Sequence, residues 1–509
     1  MSGSTATTTP QTTIRIPAPA VTALRDALLR PDGRERVAFG YCSRSGNDLL
    51  LTEVEQVPDE NHRHSSPGSC RPTTACEREF ISRCTSRDLH PVFFHSHPFT
   101  DTAWFSTLDR QLIDRFRKWL TTLYPDRDLL FGVLGHEEMR IERVTADDSR
   151  PVAVDIKGEW ELEQPVRPTH TAAPDAPAVD TERFDRHLRA FGEAGQTKLA
   201  NTHVAVVGCG GIGSILAQTL ARLGIGKLTL IDPDEIEVSN LPRLPGCTHG
   251  DVGQLKVSAM HQRCWEANPD CDIISIARPV QETEDYLKNA DIIVAGVDRV
   301  TARYWVNQFA VRHLIPYVDA GTVIETSDAD PPQIESMEVY IQTIVPGVTA
   351  CFDCLDRGDP DQAYRESLDS AEEKAAVERG YIDADIEPEP AVIDLNQLAA
   401  AHTVSAVKRL ALGTQPPVAF RKYDDVSGDQ ALLETHPNAS CPTCLGNSLA
   451  LGDSTISSAA DQEIATAPLD DAALANPLEQ TDRTTRDWFP PAVTAFFASD
   501  LAQHPTTDP

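Results

Sequence analysis

Three groups of residues in this 509-residue chain combine side-chain type and spacing in ways that support chemistry. The first is a G-x-G-x-x-G turn at Gly208, Gly210 and Gly213, with Gly211 inside it, between an apolar run at 202–207 and a helical stretch to Leu223. Glycines let the backbone turn tightly and approach phosphates, while the following helix N-terminus presents N–H groups to them. Asp232 closes the next apolar run, about 20 residues on, where a carboxylate can bond a ribose hydroxyl. Asn240, Arg243 and Lys256 follow within one short span. A nicotinamide enzyme does not need two cations there, whereas one that stabilises a phosphoryl transition state does. The second group is His95-Ser96-His97-Pro98 followed by Ser106-x-x-Asp109. Two histidines at i and i+2 on a strand end can point at one metal, and an Asp on the next helix adds a third ligand. A fourth, open position would hold water, whose pKa zinc lowers toward neutrality. The third group is Cys351-x-x-Cys354 and Cys441-x-x-Cys444, two pairs about 87 residues apart. Four thiolates in this form suit a closed structural zinc site. A redox role is the alternative, although a thioredoxin-type site needs only one pair.

The elements that must carry these residues can be read from pattern. Residues 35–41, 49–57 and 91–95 read as strands and 106–120 as a helix that starts near Ser106 or Thr107. The glycine turn joins a strand to a helix, and the next strand ends at Asp232: the start of a βαβ unit. Residues 61–90 hold Cys70, Cys76, Cys84, His62, His64 and His90 in no zinc spacing and read as a long insertion. Composition shifts suggest a Thr/Ser-rich disordered start at 1–14, a Pro/Ala-rich linker at 156–181, and an acidic, largely disordered tail at 450–509. Within that tail, residues 488–497 read either as a docking segment or as a short helix folded back on the protein. The bounds leave domains at 15–155 and 182–449.

The net charge of −32 argues against nucleic acid as a main partner, because neutralising phosphates requires a basic face. No apolar run approaches the roughly 20 residues of a membrane span, and the first residues lack a signal-peptide core. A cytoplasmic location is therefore expected, with the twelve cysteines acting as metal ligands or buried apolar residues rather than as a disulfide framework.

HSHP followed by S-x-x-D resembles the JAMM (JAB/MPN) metallopeptidase family, zinc isopeptidases that trim or remove ubiquitin-like proteins. The resemblance covers about residues 15–150. It implies His95, His97 and Asp109 as zinc ligands and Ser106 as support for the oxyanion. It also implies a general-base Glu on the first core strand, just before its apolar run; Glu35 fits, with Glu53 and Glu55 as rivals. The eight residues at 98–105, between His97 and Ser106, make the loop one residue longer than the family's usual spacing.

The motif order after residue 180 resembles the ThiF/MoeB/HesA family, whose fold is shared by ubiquitin-activating enzymes. Members adenylate the C-terminal glycine of a ubiquitin-like protein with ATP and magnesium. The resemblance covers about residues 182–445. It implies that Gly208, Gly210, Gly211 and Gly213 lie against the nucleotide, that Asp232 holds the ribose, and that Ser239, Asn240, Arg243 and Lys256 line the triphosphate. Asp298 would bind magnesium, with Arg303 following on the next helix. Arg186, in an opening helix at 183–199, would reach the ATP of a partner subunit, implying a homodimer; His187 replaces the usual Gln. The four cysteines match the family's zinc site. One departure bears on mechanism: residues 355–440 contain no cysteine, so a thioester at the usual crossover segment is excluded. Either the reaction stops at the acyl-adenylate or another cysteine acts, Cys247 being nearest. Cys247 reads mainly as a structural cysteine and Cys209 as a small apolar residue.

Together these readings predict an α/β protein: a JAMM-type α/β metallopeptidase domain, then a Rossmann-like, mainly parallel-sheet adenylation domain with a four-cysteine zinc site. The expected function is ATP-dependent adenylation of the C-terminal glycine of a ubiquitin-like protein, coupled to zinc-dependent trimming or deconjugation. The alternatives are activation of a sulfur carrier for cofactor or cysteine biosynthesis, or a non-catalytic module that recognises ubiquitin-like folds. Expected cofactors are ATP, Mg2+ and two Zn2+, one catalytic and one structural.

Overall fold

The computed structural model describes residues 12–123, 127–171, 179–327, 329, 331–358, 360–368, 390–444 and 448–454. Most of the expected disordered start, part of the linker and nearly all of the acidic tail, including 488–497, lie outside them. By its internal contacts the chain forms two compact units. One comprises the described residues within Met1–Ala23, Ser43–Thr52 and Ala153–Asp453; the other comprises those within Leu24–Cys42 and Glu53–Val152, with Ser454.

The N-terminal strands are β1 (Thr13–Pro17), β2 (Val37–Ser45), β3 (Asp48–Gln56), β4 (His62–Ser66), β5 (Ser69–Pro72), β6 (His90–Ser96), β7 (Leu129–Leu134), β8 (Glu138–Val144), β9 (Ser149–Pro151), β10 (Ala153–Lys157) and β11 (Arg167–Pro168). They build a mixed nine-stranded sheet in the order β10-β1-β3-β2-β6-β7-β8-β11, with β9 on β8, and a separate β4-β5 hairpin. β2 and β6 are antiparallel, with Val37 opposite His95, and β6 and β7 are parallel. The helix Thr107–Leu123 follows β6, close to the expected bounds. Residues 61–90 are more ordered than an insertion implies. They contain the hairpin and a helix, Thr74–Ser86, whose Phe80, Ile81 and Cys84 are buried. The Phe80 ring stacks on Phe39 at 4.1 Å. Apolar periodicity in that helix is weak because Cys and Arg interrupt it, which hid it from pattern reading.

The second sheet contains β12 (His203–Val207), β13 (Lys227–Ile231), β14 (Asp272–Ile276), β15 (Ile292–Ala295), β16 (Tyr317–Thr326), β17 (Ile334–Ile344), β18 (Phe420–Asp424) and β19 (Gln430–Leu433). Its order is β14-β13-β12-β15-β16-β17-β18-β19. The first five strands are parallel and the last three form an antiparallel meander. The parallel strands read as continuous apolar runs because both faces are covered. Val204, Val206, Leu228 and Leu230 pack with Leu216 and Leu220 of the Gly211–Leu223 helix, while Ala205, Val207, Ile231 and Ile293 pack with Phe309 and Ala310 of the Val300–His313 helix. The chain leaves β12 for β13 and β14 on one side, then returns to β15 on the other. The strand order therefore reverses beside the carboxyl end of β12, the topological position where open α/β sheets form binding crevices. Among the described residues, no helix is long and apolar enough to cross a membrane.

Candidate functional site

The glycine turn sits at that switch point. Gly208 has φ 84°, in the left-handed region, and its N–H bonds the Ile231 carbonyl of the neighbouring strand at 2.8 Å. At Gly213 a Cβ would lie 1.8 Å from the Gly208 carbonyl oxygen, so turn and helix can close only on glycine. Asp232, just past β13, is buried. Its two carboxylate oxygens accept from the Cys209 N–H at 2.7 Å and the Asp234 N–H at 2.9 Å. Burial raises its pKa, opposed by Lys256 and by these two bonds.

Two loops bring the cations in. Asn240 is buried, and its Oδ1 accepts from the Glu237 N–H, locking the short 3-10 turn Val238–Arg243 as a capping box. Ser239 is exposed, and its hydroxyl donates to Glu237. The turn delivers Arg243, whose Cδ lies 3.6 Å from the point a Cβ would occupy on Gly211. Lys256 opens the Lys256–Ala267 helix; its Nζ is 2.7 Å from Asp234 Oδ2, and its backbone N–H bonds the Asp234 carbonyl. Asp298 is exposed just past β15, next to Val297, whose side chain closes on Gly208. Arg303 holds that loop through Nε to the Val297 carbonyl at 2.9 Å. Arg186 stands apart: it is 91% exposed, and its contact with Asp185 is a loose 3.8 Å. His187 packs between Phe184 and Phe191.

Sequence reasoning missed two features here. Asn396, buried on the Ile393–Leu412 helix, would have its Nδ2 2.4 Å from a Cβ on Gly211, so the two residues require each other. The signal for it was a polar residue on the mostly apolar face of that helix, which also carries Thr403. The other is a buried network around Asp319 at the end of the shared β15-β16 ladder. Asp319 has no exposed surface and accepts from Tyr317 Oη at 2.8 Å and Arg357 at 2.9 Å, with Arg303 at 3.7 Å. Burial would raise its pKa, but the two guanidiniums and the tyrosine hydroxyl hold it below the usual carboxylate range.

The four cysteines of the C-x-x-C pairs converge, every Sγ lying within 4.8 Å of the others. The Cys351–Cys354 and Cys351–Cys441 sulfurs are 3.8 and 3.6 Å apart, and Cys354–Cys444 is 3.0 Å. Thiolates about 2.3 Å from a central zinc would stand roughly 3.8 Å apart, so this cage fits that ion. All twelve cysteines are free thiols. The Asn438 N–H donates to Cys354 Sγ at 3.2 Å, an outer bond of the kind that orients metal ligands. Asn307 accepts from the Phe352 N–H and tethers the first pair to the Val300–His313 helix.

In the other unit, His95, His97 and Asp109 also converge within 4.8 Å. Alternation along β6 puts the two imidazoles on one side. His95 Nε2 lies 3.2 Å from Asp109 Oδ1 and His97 Nε2 lies 3.6 Å from Oδ2. Buried His95 Nε2 and His97 Nδ1 have no hydrogen-bond partner, and two imidazoles plus a carboxylate with an open fourth side are a donor set zinc accepts. Ser106 and Asp109 cap the Thr107–Leu123 helix reciprocally: the Ser106 N–H donates to Asp109 Oδ2 at 2.6 Å, and the Asp109 N–H to Ser106 Oγ at 3.2 Å. That capping box fixes where Asp109 points.

The β2-β6 register carries Glu35 to the same place. Val37 opposes His95 and the Ser96 N–H bonds the Arg36 carbonyl, so Glu35 falls opposite His97. Glu35 is buried; burial raises its pKa to about 7, with His97 pulling it down and Asp109 pushing it up. The rivals are engaged elsewhere: Glu53 with Arg83 and Arg87, Glu55 with Tyr41 and Arg83. His97 also stacks on Phe99 and meets Trp104 edge-on, both strongly exposed. Among the described residues, the His/Cys-rich stretch at 61–90 forms no metal-competent group.

Comparison with known proteins addresses the second sheet. The model of the ThiF family matches residues 184–476. The chain is 32% identical over 170 residues to the tRNA threonylcarbamoyladenosine dehydratase of Haemophilus influenzae, covering 31% of this chain and 65% of that one. It is 34% identical over 199 residues to the adenylyltransferase and sulfurtransferase MOCS3 of Mus musculus, covering 38% and 43%. The match thus spans less than two thirds of either relative. Among solved structures, E. coli MccB with MccA-N7isoASN superposes with a TM-score of 0.43 at 24% identity, covering 54% of this chain and 77% of that one. None of these matches assigns the N-terminal sheet. Because the family match extends over more than half of its residues, the protein belongs to the ThiF family.

Proposed function

We propose that the unit containing residues 153–453 adenylates the C-terminal glycine carboxylate of a small ubiquitin-like or sulfur-carrier protein, using ATP. The supporting observation is the convergence of Gly211, Arg243 and Asn396 beside Asp232 and Lys256, at the point where the strand order reverses. In the reaction a carboxylate oxygen attacks the α-phosphorus and pyrophosphate leaves, so negative charge grows on phosphoryl oxygens. Arg243 and Lys256 are placed to oppose that charge, Asp232 to hold the ribose, and Asp298 to hold the magnesium that accompanies ATP. Arg186 would act on a partner's nucleotide in a homodimer.

The product would be the acyl-adenylate, handed to an external nucleophile. No cysteine lies in 355–440, burial raises the Cys247 thiol, and Cys209 is buried with its thiol pushed well up, so neither offers a ready thiolate. One relative acts on a tRNA nucleoside, but the −32 charge of this chain disfavours a polyanion. A protein carboxylate suits it better, and another relative is an adenylyltransferase by name.

The unit that holds His95, His97 and Asp109 is read as a zinc peptidase that trims or releases the same class of substrate. A zinc ion held by His95, His97 and Asp109 would supply Lewis acidity for amide hydrolysis. Glu35, with a pKa near 7, would move the proton, and Ser106 would support the oxyanion. Fusion of the two activities raises the local concentration of trimmed product at the adenylation site.

ATP–pyrophosphate exchange with a purified carrier tests the first activity. Arg243→Ala should lower exchange by about 10²-fold or more, and undiminished exchange would remove the assignment. For the second, His97→Ala should abolish cleavage of a glycine-extended carrier and lower bound zinc from two to about one per chain. Unchanged cleavage would remove the peptidase reading and leave the adenylation reading intact.

A further inference from the structure

The Ile393–Leu412 helix reaches a second cationic recess at its far end. His402, Ser405 and Arg409 stand at i, i+3 and i+7, one stripe of the helix. Arg421 joins them from β18, directly across the ladder from Ile341 of β17. These five residues and Val418 line a cleft. Arg409 is anchored by a bond from its guanidinium to the Pro416 carbonyl at 2.9 Å. Among the described residues, no carboxylate pairs with Arg409 or Arg421, and the Arg421 guanidinium makes no bond at all.

Many arginines elsewhere in this acidic chain are paired. Arg15, Arg36, Arg83, Arg110 and Arg357 each meet a carboxylate. Among the described residues, the charges acting on Arg421 and His402 at the recess are positive. Burial and Arg409 push the Arg421 guanidinium down, and burial and Arg421 push His402 down. Partly desolvated cations held together without an anion destabilise a fold, and such local conflicts concentrate at ligand sites. The residues lining the cleft carry two guanidiniums, an imidazole and a hydroxyl, set on both a helix and a strand. Donors offered from more than one element around a cleft match a tetrahedral dianion better than a planar carboxylate.

We infer that this recess binds a phosphate dianion, free or as a small monoester, at a site separate from the nucleotide phosphates. Asn396 touches the glycine turn, whereas Arg409 lies 13 residues further along the same helix, about 20 Å away at 1.5 Å per residue. The inference does not depend on the adenylation chemistry.

The test is calorimetric titration of the full chain with inorganic phosphate, at ionic strength held constant with chloride, alongside O-phospho-L-serine as a monoester. Saturable binding is expected, weakened at least tenfold in Arg421→Gln and in Arg409→Gln, and retained in Arg243→Ala. Ser405→Asp puts a carboxylate between His402 and Arg409; it should raise the melting temperature and abolish phosphate binding. Binding of inorganic phosphate alone would assign the site to the free ion, and binding of phosphoserine would extend it to monoesters. Three results would overturn the inference: no saturable binding of either probe, binding lost in Arg243→Ala but kept in Arg421→Gln, or binding undiminished in Ser405→Asp.

Discussion

Replacing Asp319 with asparagine isolates how the buried ion network supports the candidate adenylation site. Asp319 is fully buried and joins Tyr317 on its own strand to Arg357 and Arg303. Asparagine keeps the shape and removes the charge, leaving two guanidiniums facing each other in a dry environment. Removing one partner of a buried pair costs about 3–5 kcal/mol, because the remaining charge is uncompensated. For a folding unit of this size each kcal/mol moves the melting temperature by roughly 2–4 °C, so a drop of about 6–20 °C is expected. Arg303 also holds the Val297 carbonyl beside Asp298, so ATP–pyrophosphate exchange should fall as the anchor of that loop is lost. The assay is thermal unfolding of Asp319→Asn, Arg357→Met and the double variant. The double variant should be less damaging than the sum of the singles, since removing Asp319 and Arg357 together leaves only the more distant Arg303 without its carboxylate. A single variant that melts within a degree of the parent, or two effects that add fully, would refute the argument. In pH terms the folded carboxyl titrates below its unfolded value. Its contribution is therefore complete above the unfolded pKa and is lost as acid takes pH down through the folded one.

Three further outcomes are expected. Cys354→Ser should release one zinc per chain by elemental analysis and lower the melting temperature, whereas Cys70→Ser should leave zinc content unchanged. Gly213→Ala should cost about 3 kcal/mol or more in urea unfolding because its Cβ collides with the Gly208 carbonyl, while Gly210→Ala, with nothing within 4 Å, should be tolerated by the fold. Buried His313 accepts or donates at Ser45 Oγ, and burial lowers its pKa to about 3. Unfolded chain takes up that proton near pH 6.5 and folded chain does not, so stability should decline by up to roughly 4–5 kcal/mol as pH falls from 6.5 toward 3. His313→Gln should flatten that part of the profile, and an unchanged slope would show that other groups govern it.

Residues that act through neighbours in sequence could be read without coordinates. The glycine turn, the paired cysteines and the histidine doublet are short-range patterns, because a strand's alternation or a turn's φ requirement acts over a few positions. The parallel strands around β12 were legible for the same reason: burial on both faces makes them continuously apolar. The helix at 74–86 was not, because its buried stripe is built from Phe80, Ile81 and Cys84 between arginines and glutamates. Tertiary structure decided which distant residues meet. Only the β2-β6 register sets Glu35, rather than Glu53 or Glu55, opposite His97. Only the packing of the Ile393–Leu412 helix puts Asn396 against Gly211 and Arg409 beside Arg421. Such meetings depend on the closure of long loops and on competition for buried space, and neither leaves a periodic trace in the chain.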